Sequence, residues 1–192
     1  MPCDLSLTAQ GIYLETHHDL HSFLASVEKR AFRMAEIATG NRQDALDILQ
    51  DTMYKLVEKY AVRSPQEWMP LFYTILQSRI HDWRRREFIR NRFRVWFGKG
   101  TDEQGADPMD NIADAAGKTP EQELHHRQTR KALDQAVRAL PARQQQAFML
   151  RAFEGLDVAE TARIMRCSAG SVKTHYSRSV QALRKVLSED GL

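Results

Sequence analysis

From Leu20 to Ala38, apolar residues at Leu20, Leu24, Val27, Ala31, Met34 and Ala38 recur at intervals of three and four, the period of a helix with one buried stripe. Asn41, followed three residues on by Asp44, reads as the start of a second helix, whose apolar side is Ala45, Ile48, Leu49, Thr52, Leu56 and Tyr60. Ser64-Pro65-Gln66-Glu67 has the form of a capping box with proline in the first helical position. The helix it opens is expected to reset at Pro70 and then run through LFYTILQSRIHDWRRREFIRNR. Further helices are predicted around 121–139, from Pro141 to about Phe153, from Val158 to Met165 and from Ser168 onward. No stretch alternates with period two, so the fold class is all-α.

Residues 98–123 break this pattern. They hold four glycines, two prolines and seven acids against two lysines, the composition of a flexible acidic linker rather than of a core element. Two small helical domains, over 15–95 and 122–190, joined by a linker over 96–121, are the organisation expected.

Composition adds a class and removes others. A hydrophobic share of 42% in 192 residues supports a folded core. No apolar run reaches the length of a membrane span and no signal sequence opens the chain. Cys3 and Cys167 form no metal-binding or disulfide pattern, so a reduced, cytoplasmic protein without membrane insertion is expected. His17 and His21 stand one helical turn apart, as metal ligands can, but no third ligand accompanies them. With no nucleophile–base motif and no glycine-rich phosphate loop, neither an enzyme nor a metal or other cofactor is expected.

Charge is what directs the reading. The net value is only +3, yet no acid stands between Glu160 and Glu189, where Arg163, Arg166, Lys173, Arg178, Arg184 and Lys185 fall. Asp157 and Glu160 form a capping box for a short helix, and Ser168 can cap a longer one after the turn Arg166-Cys167-Ser168. That is helix-turn-helix geometry, in which the second helix enters the major groove. On this helix Val172, Tyr176, Val180, Leu183 and Leu187 share one stripe. Ser171, Thr174, Arg178, Gln181 and Lys185 lie opposite, flanked by Lys173, Ser177 and Arg184. Hydroxyl and guanidinium groups there can reach base edges while the flanking cations neutralise phosphate.

The segment LPARQQQAFMLRAFEGLDVAETARIMRCSAGSVKTHYSRSVQALRKVL resembles the C-terminal promoter-reading domain, region 4, of bacterial extracytoplasmic-function sigma factors. DALDILQDTMYKL looks like their region 2.2, and LFYTILQSRIHDWRRR like regions 2.3 and 2.4, in the family's order and spacing. The resemblance implies a subunit that directs core RNA polymerase to promoters and has no catalysis of its own. It places −35 contacts at Lys173, Thr174, Ser177 and Arg178. It places core binding at Asp44, Asp47, Gln50 and Asp51, against the clamp helices of the β′ subunit, with a further contact to the β flap. Melting and reading of the −10 element fall to Val62, Arg63 and Ser64, with Ser78, His81, Arg84 and Arg85 on the following helix. At Ser78 relatives often carry asparagine, a departure at the pocket that captures a flipped base. The family's tether threads the RNA path of the polymerase, which the linker acids Asp102, Glu103, Asp107, Asp110 and Asp114 would suit. Most relatives are held inactive by an anti-sigma factor, so such a partner is expected too. The alternative is a dimeric helix-turn-helix regulator of duplex DNA. It would have no use for the Asp stripe or for the helix rich in aromatics and arginine.

Overall fold

The computed structural model describes the backbone of residues 5–96 and 120–189, and side chains over 19–93, 129–186 and at 188. All regular structure among the described residues is helical: α1 (Leu5–Thr39), α2 (Arg42–Tyr60), α3 (Pro65–Trp96), α4 (Pro120–Ala139), α5 (Ala142–Phe148), α6 (Val158–Met165) and α7 (Ala169–Glu189). A π turn, Met149–Phe153, extends α5. The acidic segment expected as a linker lies almost wholly outside the described residues, as does the side chain of His17. No described helix is long and apolar enough to cross a membrane.

The boundaries follow local chemistry. Gly40 ends α1 at φ +68, donating its N–H to the Glu36 carbonyl at 2.7 Å, as a residue without Cβ does at little cost. The Asn41 side chain accepts from the Asp44 N–H at 3.0 Å and so starts α2. At α3 only one arm of the expected capping box forms. Glu67 Oε2 accepts from the Ser64 N–H at 3.3 Å, but the Ser64 hydroxyl donates to the same carboxylate instead of capping the Glu67 N–H. Pro70 does not reset the helix: α3 runs through it. Proline removes the bond to the carbonyl four residues back. That carbonyl belongs to exposed Gln66, where water can replace the lost donor.

Helices α1 to α3 enclose an aromatic centre. Trp68, Phe72 and Tyr73 are buried, and Phe23 packs on Trp68 and Phe72 at ring distances of 5.9 and 6.0 Å. The predicted stripes of α1 and α2 are buried at Leu20, Val27, Ala31, Met34, Ala38, Ala45, Ile48, Leu49, Thr52 and Leu56, while Leu24 and Tyr60 are half-buried. Helices α4 to α7 gather around Val137, Leu140, Ala147, Leu150, Met165, Val172 and Leu183. Buried Gln145 donates Nε2 to the Val137 carbonyl at 2.9 Å, tying α5 to the end of α4. The two groups do not stand apart. Helix α1 touches α4, α3 touches α6, and one apolar cluster runs through both groups.

Candidate nucleic-acid and partner interface

The helix-turn-helix forms as the sequence indicates. Asp157 Oδ1 accepts from the Glu160 N–H at 2.7 Å, and Glu160 Oε2 accepts from the Asp157 N–H at 2.8 Å. Helix α6 ends on Arg166 in the left-handed region at φ 51, with the Cys167 N–H reaching back to the Ala162 carbonyl. Ser168 Oγ then accepts from the Ser171 N–H at 3.1 Å and opens α7. Replacing Asp157 with alanine should cost about 1 kcal/mol of stability through loss of the cap, read as a lower chemical-denaturation midpoint with an unchanged slope.

On α7, Val172 and Leu183 are buried, and Tyr176 and Val180 half-buried, as the stripe predicts. Leu187 has no described side chain. Ser179 is buried among them although polar, because its hydroxyl donates to the Tyr176 carbonyl at 2.6 Å. Lys173, Thr174, Ser177, Arg178, Gln181, Arg184 and Lys185 are all exposed. Thr174 donates its hydroxyl to the Gly170 carbonyl and keeps its oxygen lone pairs for an incoming donor. Ser171 is placed differently. It is half-buried, and its hydroxyl is engaged by Ser168 Oγ at 2.9 Å. It belongs to the cap as much as to the open face.

A second surface joins α2 to α3. Asp47, Gln50 and Asp51 are exposed and Asp44 is half-buried; Gln43 Nε2 donates to Asp47 Oδ1 at 3.2 Å. These acids do not form an isolated stripe. They line an open groove with Trp83, Arg86 and Arg90 of α3, which fall three and four apart on one helical face. The sequence carried that spacing, but not the fact that this face of α3 turns toward the acids. The Trp83 indole N–H is buried there without a hydrogen-bond partner among the described residues.

The residues expected to meet the −10 element divide into two places. Val62, Arg63 and Ser64 form the loop before α3: Val62 is 84% exposed, Arg63 pairs with Glu67 at 3.6 Å, and Ser64 binds Glu67. Ser78, His81 and Arg84 stand about 20 Å farther along the helix axis, on the side roughly opposite Trp83 and Arg86. That distance exceeds one base, so only a strand of several nucleotides can meet both. Ser78, His81 and Arg84 face α5 and α6 across a cleft whose other wall includes Arg143, Gln146 and Arg166. Arg84 donates to Gln145, and burial pulls its pKa below the ordinary arginine value. Arg85 is exposed.

Between the helix groups lie polar contacts that nothing in the chain's periodicity signals. Arg33, held within α1 by Glu36 at 2.6 Å, pairs across the junction with Asp134 of α4, and Arg138 donates to the Thr39 carbonyl at 3.1 Å. The Glu154 side chain is fully enclosed, with Arg30 Nε at 3.4 Å from Oε2. Burial raises its pKa, and the neighbouring Tyr73 hydroxyl and Arg30 oppose that rise. Burial, with the adjacent Glu154 carboxylate, also lifts Tyr73 above the usual phenol range. Asp134 is raised by burial as well, against the pull of Arg33.

Residues 130–183 match the protein family described as sigma-70, region 4. Over 164 residues, 83% of its length, the chain is 29% identical to the ECF RNA polymerase sigma factor BldN of Streptomyces coelicolor, and it spans 56% of that protein. Over 162 residues it is 28% identical to the RNA polymerase sigma factor SigV of Bacillus subtilis, covering 84% of this chain and 86% of that one. Residues 130–183 thus carry a sigma-70 region 4, and over most of its length the chain is similar to extracytoplasmic-function sigma factors. The sigma fold is also seen in a sigma factor RpoE solved with the anti-sigma factor NepR from Bartonella quintana, at TM-score 0.60 and 20% identity, covering 87% of this chain and 97% of that one. CnrH, solved with the cytosolic domain of CnrY, matches at 0.58 and 14%, with 89% and 88% covered.

Proposed function

We propose that this sigma factor binds core RNA polymerase in the cytoplasm, carries it to promoters and opens them, without catalysis of its own. The observation that carries the reading is the outer face of α7. A doubly capped helix-turn-helix presents Lys173, Thr174, Ser177, Arg178, Arg184 and Lys185 to solvent, with no acid among them. Helices α4–α7 then read the −35 duplex. Helices α1–α3 dock on polymerase through Asp44, Asp47, Gln50 and Asp51 and take the −10 strand through the loop at 62–64 and the arginine-rich part of α3. Binding of the BldN and SigV relatives to polymerase, as their names imply, supports this assignment, as do the anti-sigma complexes of the structural neighbours. An anti-sigma factor is the expected regulator.

Run-off transcription over genomic fragments tests the reading: purified chain with core polymerase should yield discrete new transcripts, and none from any fragment would sink it. Base reading separates from phosphate anchoring on α7. If Arg178 grips a guanine, Arg178→Ala should cost about 1–3 kcal/mol and relax preference at one base pair. Arg184→Ala should weaken all sequences alike and lower the salt slope by about one charge. Binding to a −35 duplex library at several salt concentrations distinguishes them. A uniform loss with unchanged preference in Arg178→Ala would make that residue an anchor.

A further inference from the structure

The cleft between α3 and the pair α5 and α6 differs in charge from the groove on the other side of α3. In that groove Arg86 and Arg90 share the walls with Asp44, Asp47 and Asp51. The cleft draws Arg84 from α3, Arg143 from α5 and Arg166 from the end of α6, and none of the described residues lining it is an acid. No carboxylate among the described residues pairs with any of these three arginines. Arg84 donates to the Gln145 side chain, and Arg143 to the Met165 carbonyl at 2.9 Å and to Gln146 Oε1 at 3.2 Å. All of these acceptors are neutral. Burial nonetheless takes Arg84 partly out of water and pulls its pKa down. A guanidinium desolvated without a counter-charge is held at a cost that a bound anion would offset.

We propose that this cleft is a binding site for a small ligand carrying two or more phosphates, with a nucleoside diphosphate as its chemical class. A guanidinium meets phosphate oxygens in pairs, and three of them on two walls call for more charge than one phosphate brings. The apolar lining suits the rest of such a molecule. Ile80 of α3 and Ile164 and Met165 of α6 are buried along the cleft, a surface on which a base or sugar can lie. Thr74, Gln77 and Ser78 add hydroxyl and amide groups that can meet the edges of a base or ribose. Gln146 gives its oxygen to Arg143 and keeps its amide N–H groups for the ligand. The volume, about 490 Å³, lies within the range of small-molecule sites. The cleft is open, so a ligand enters without any movement of the helices. With α3 on one wall and α5 and α6 on the other, the bound molecule joins the two helix groups. This site is additional to promoter binding and does not rest on it.

The test is isothermal titration calorimetry of the full chain at about 0.15 M salt, where loose surface attraction is screened. The probes are adenosine diphosphate (ADP), inorganic pyrophosphate and sulfate. ADP should bind with a Kd below about 1 mM and raise the thermal unfolding midpoint, since a ligand held only by the folded chain stabilises it. Pyrophosphate should bind more weakly, and sulfate should give no binding heat. Arg143→Gln/Arg166→Gln removes two cations from the wall formed by α5 and α6 and should weaken ADP binding by about tenfold or more. Lys131→Gln/Arg163→Gln removes the same charge from exposed positions outside the cleft and should change it by no more than about twofold. Arg166→Gln alone guards against a fault in folding, because that exposed side chain forms no bond among the described residues. It should lose affinity while the unliganded midpoint stays where it was. Absence of saturable ADP binding to the wild-type chain overturns the proposal. So does an equal loss in the two double variants, which would make the attraction a property of overall charge. ADP binding no tighter than pyrophosphate overturns the assignment to a nucleoside. Transcription with core polymerase keeps the claims apart: a chain that binds no ADP and still yields transcripts sinks only the cleft site.

Discussion

Reversing Asp47 and Asp51 to lysine should abolish measurable holoenzyme formation while leaving the helical fold intact. Both side chains are exposed, and the one described partner, Gln43 at Asp47, is a surface hydrogen bond, so folding should change by no more than about 0.5 kcal/mol. The groove they line already holds Arg86 and Arg90. Two further cations would leave Asp44 as its one carboxylate among four basic side chains, and like charges brought together across an interface cost several kcal/mol. Docking through an acidic stripe, as proposed above, calls for a basic partner surface, which gives the reversal its size. Polymerase affinity by fluorescence titration and thermal unfolding of the free chain are the paired measurements. Unchanged affinity would move the polymerase contact away from α2. Lost affinity with a collapsed thermal midpoint would show that the acids serve the fold instead.

The largest effect on stability is expected at Trp68. Its side chain is 1% exposed, sits against Phe23, and donates its indole N–H to the Tyr60 carbonyl at 3.2 Å. That bond satisfies a backbone group at the C-terminal end of α2, so the ring joins three helices at once. Trp68→Ala should cost about 3–5 kcal/mol, from lost apolar burial and from the cavity left behind. Much of the stability of a domain this size lies within that range. Trp68→Phe should recover most of the packing and remove one of the two donors to the Tyr60 carbonyl, which keeps the Arg63 N–H at 3.0 Å, for a loss of about 0.5–1.5 kcal/mol beyond the change in volume. Urea unfolding of the three chains measures both. A cost below 1 kcal/mol for Trp68→Ala would mean the site is empty space rather than core.

The readable parts of the chain were those fixed by neighbours in sequence. Asp157 with Glu160, Ser168 with Ser171, and Asn41 with Asp44 each make their bonds within three residues, so their spacing alone marks the helix starts. The stripes of α1, α2 and α7 were readable for the same reason, since burial follows the helical period. What depends on contacts across the chain was not. The π turn at Met149–Phe153 accommodates one extra residue per turn, which no pattern of apolar positions separates from an α-helix. The Arg33–Asp134 pair joins residues 101 apart, and nothing local distinguishes those charges from solvated ones. The same holds for the groove that sets Arg86 and Arg90 beside the Asp stripe. Family resemblance singled out the acids of that surface, but only α2 packed on α3 shows that both charge signs share it. Ser171 went the other way: its position on the helical wheel is open, while its hydroxyl is taken up by the cap.

Helix α3 is one unbroken rod of 32 residues, about 48 Å long at the usual rise. Trp83, Arg86 and Arg90 edge one side of it, and Ser78, His81 and Arg84 edge the other. No joint lies between the two edges, so the angle between them is set by the pitch of the helix. Like a key cut on both sides, the rod lets each edge be recut separately. On the function proposed above, substitutions on one side can track a changing protein partner while those on the other follow a changing promoter, and neither alters the registration of the pair. Selection can therefore diversify what this chain recognises while leaving untouched how that recognition is aimed.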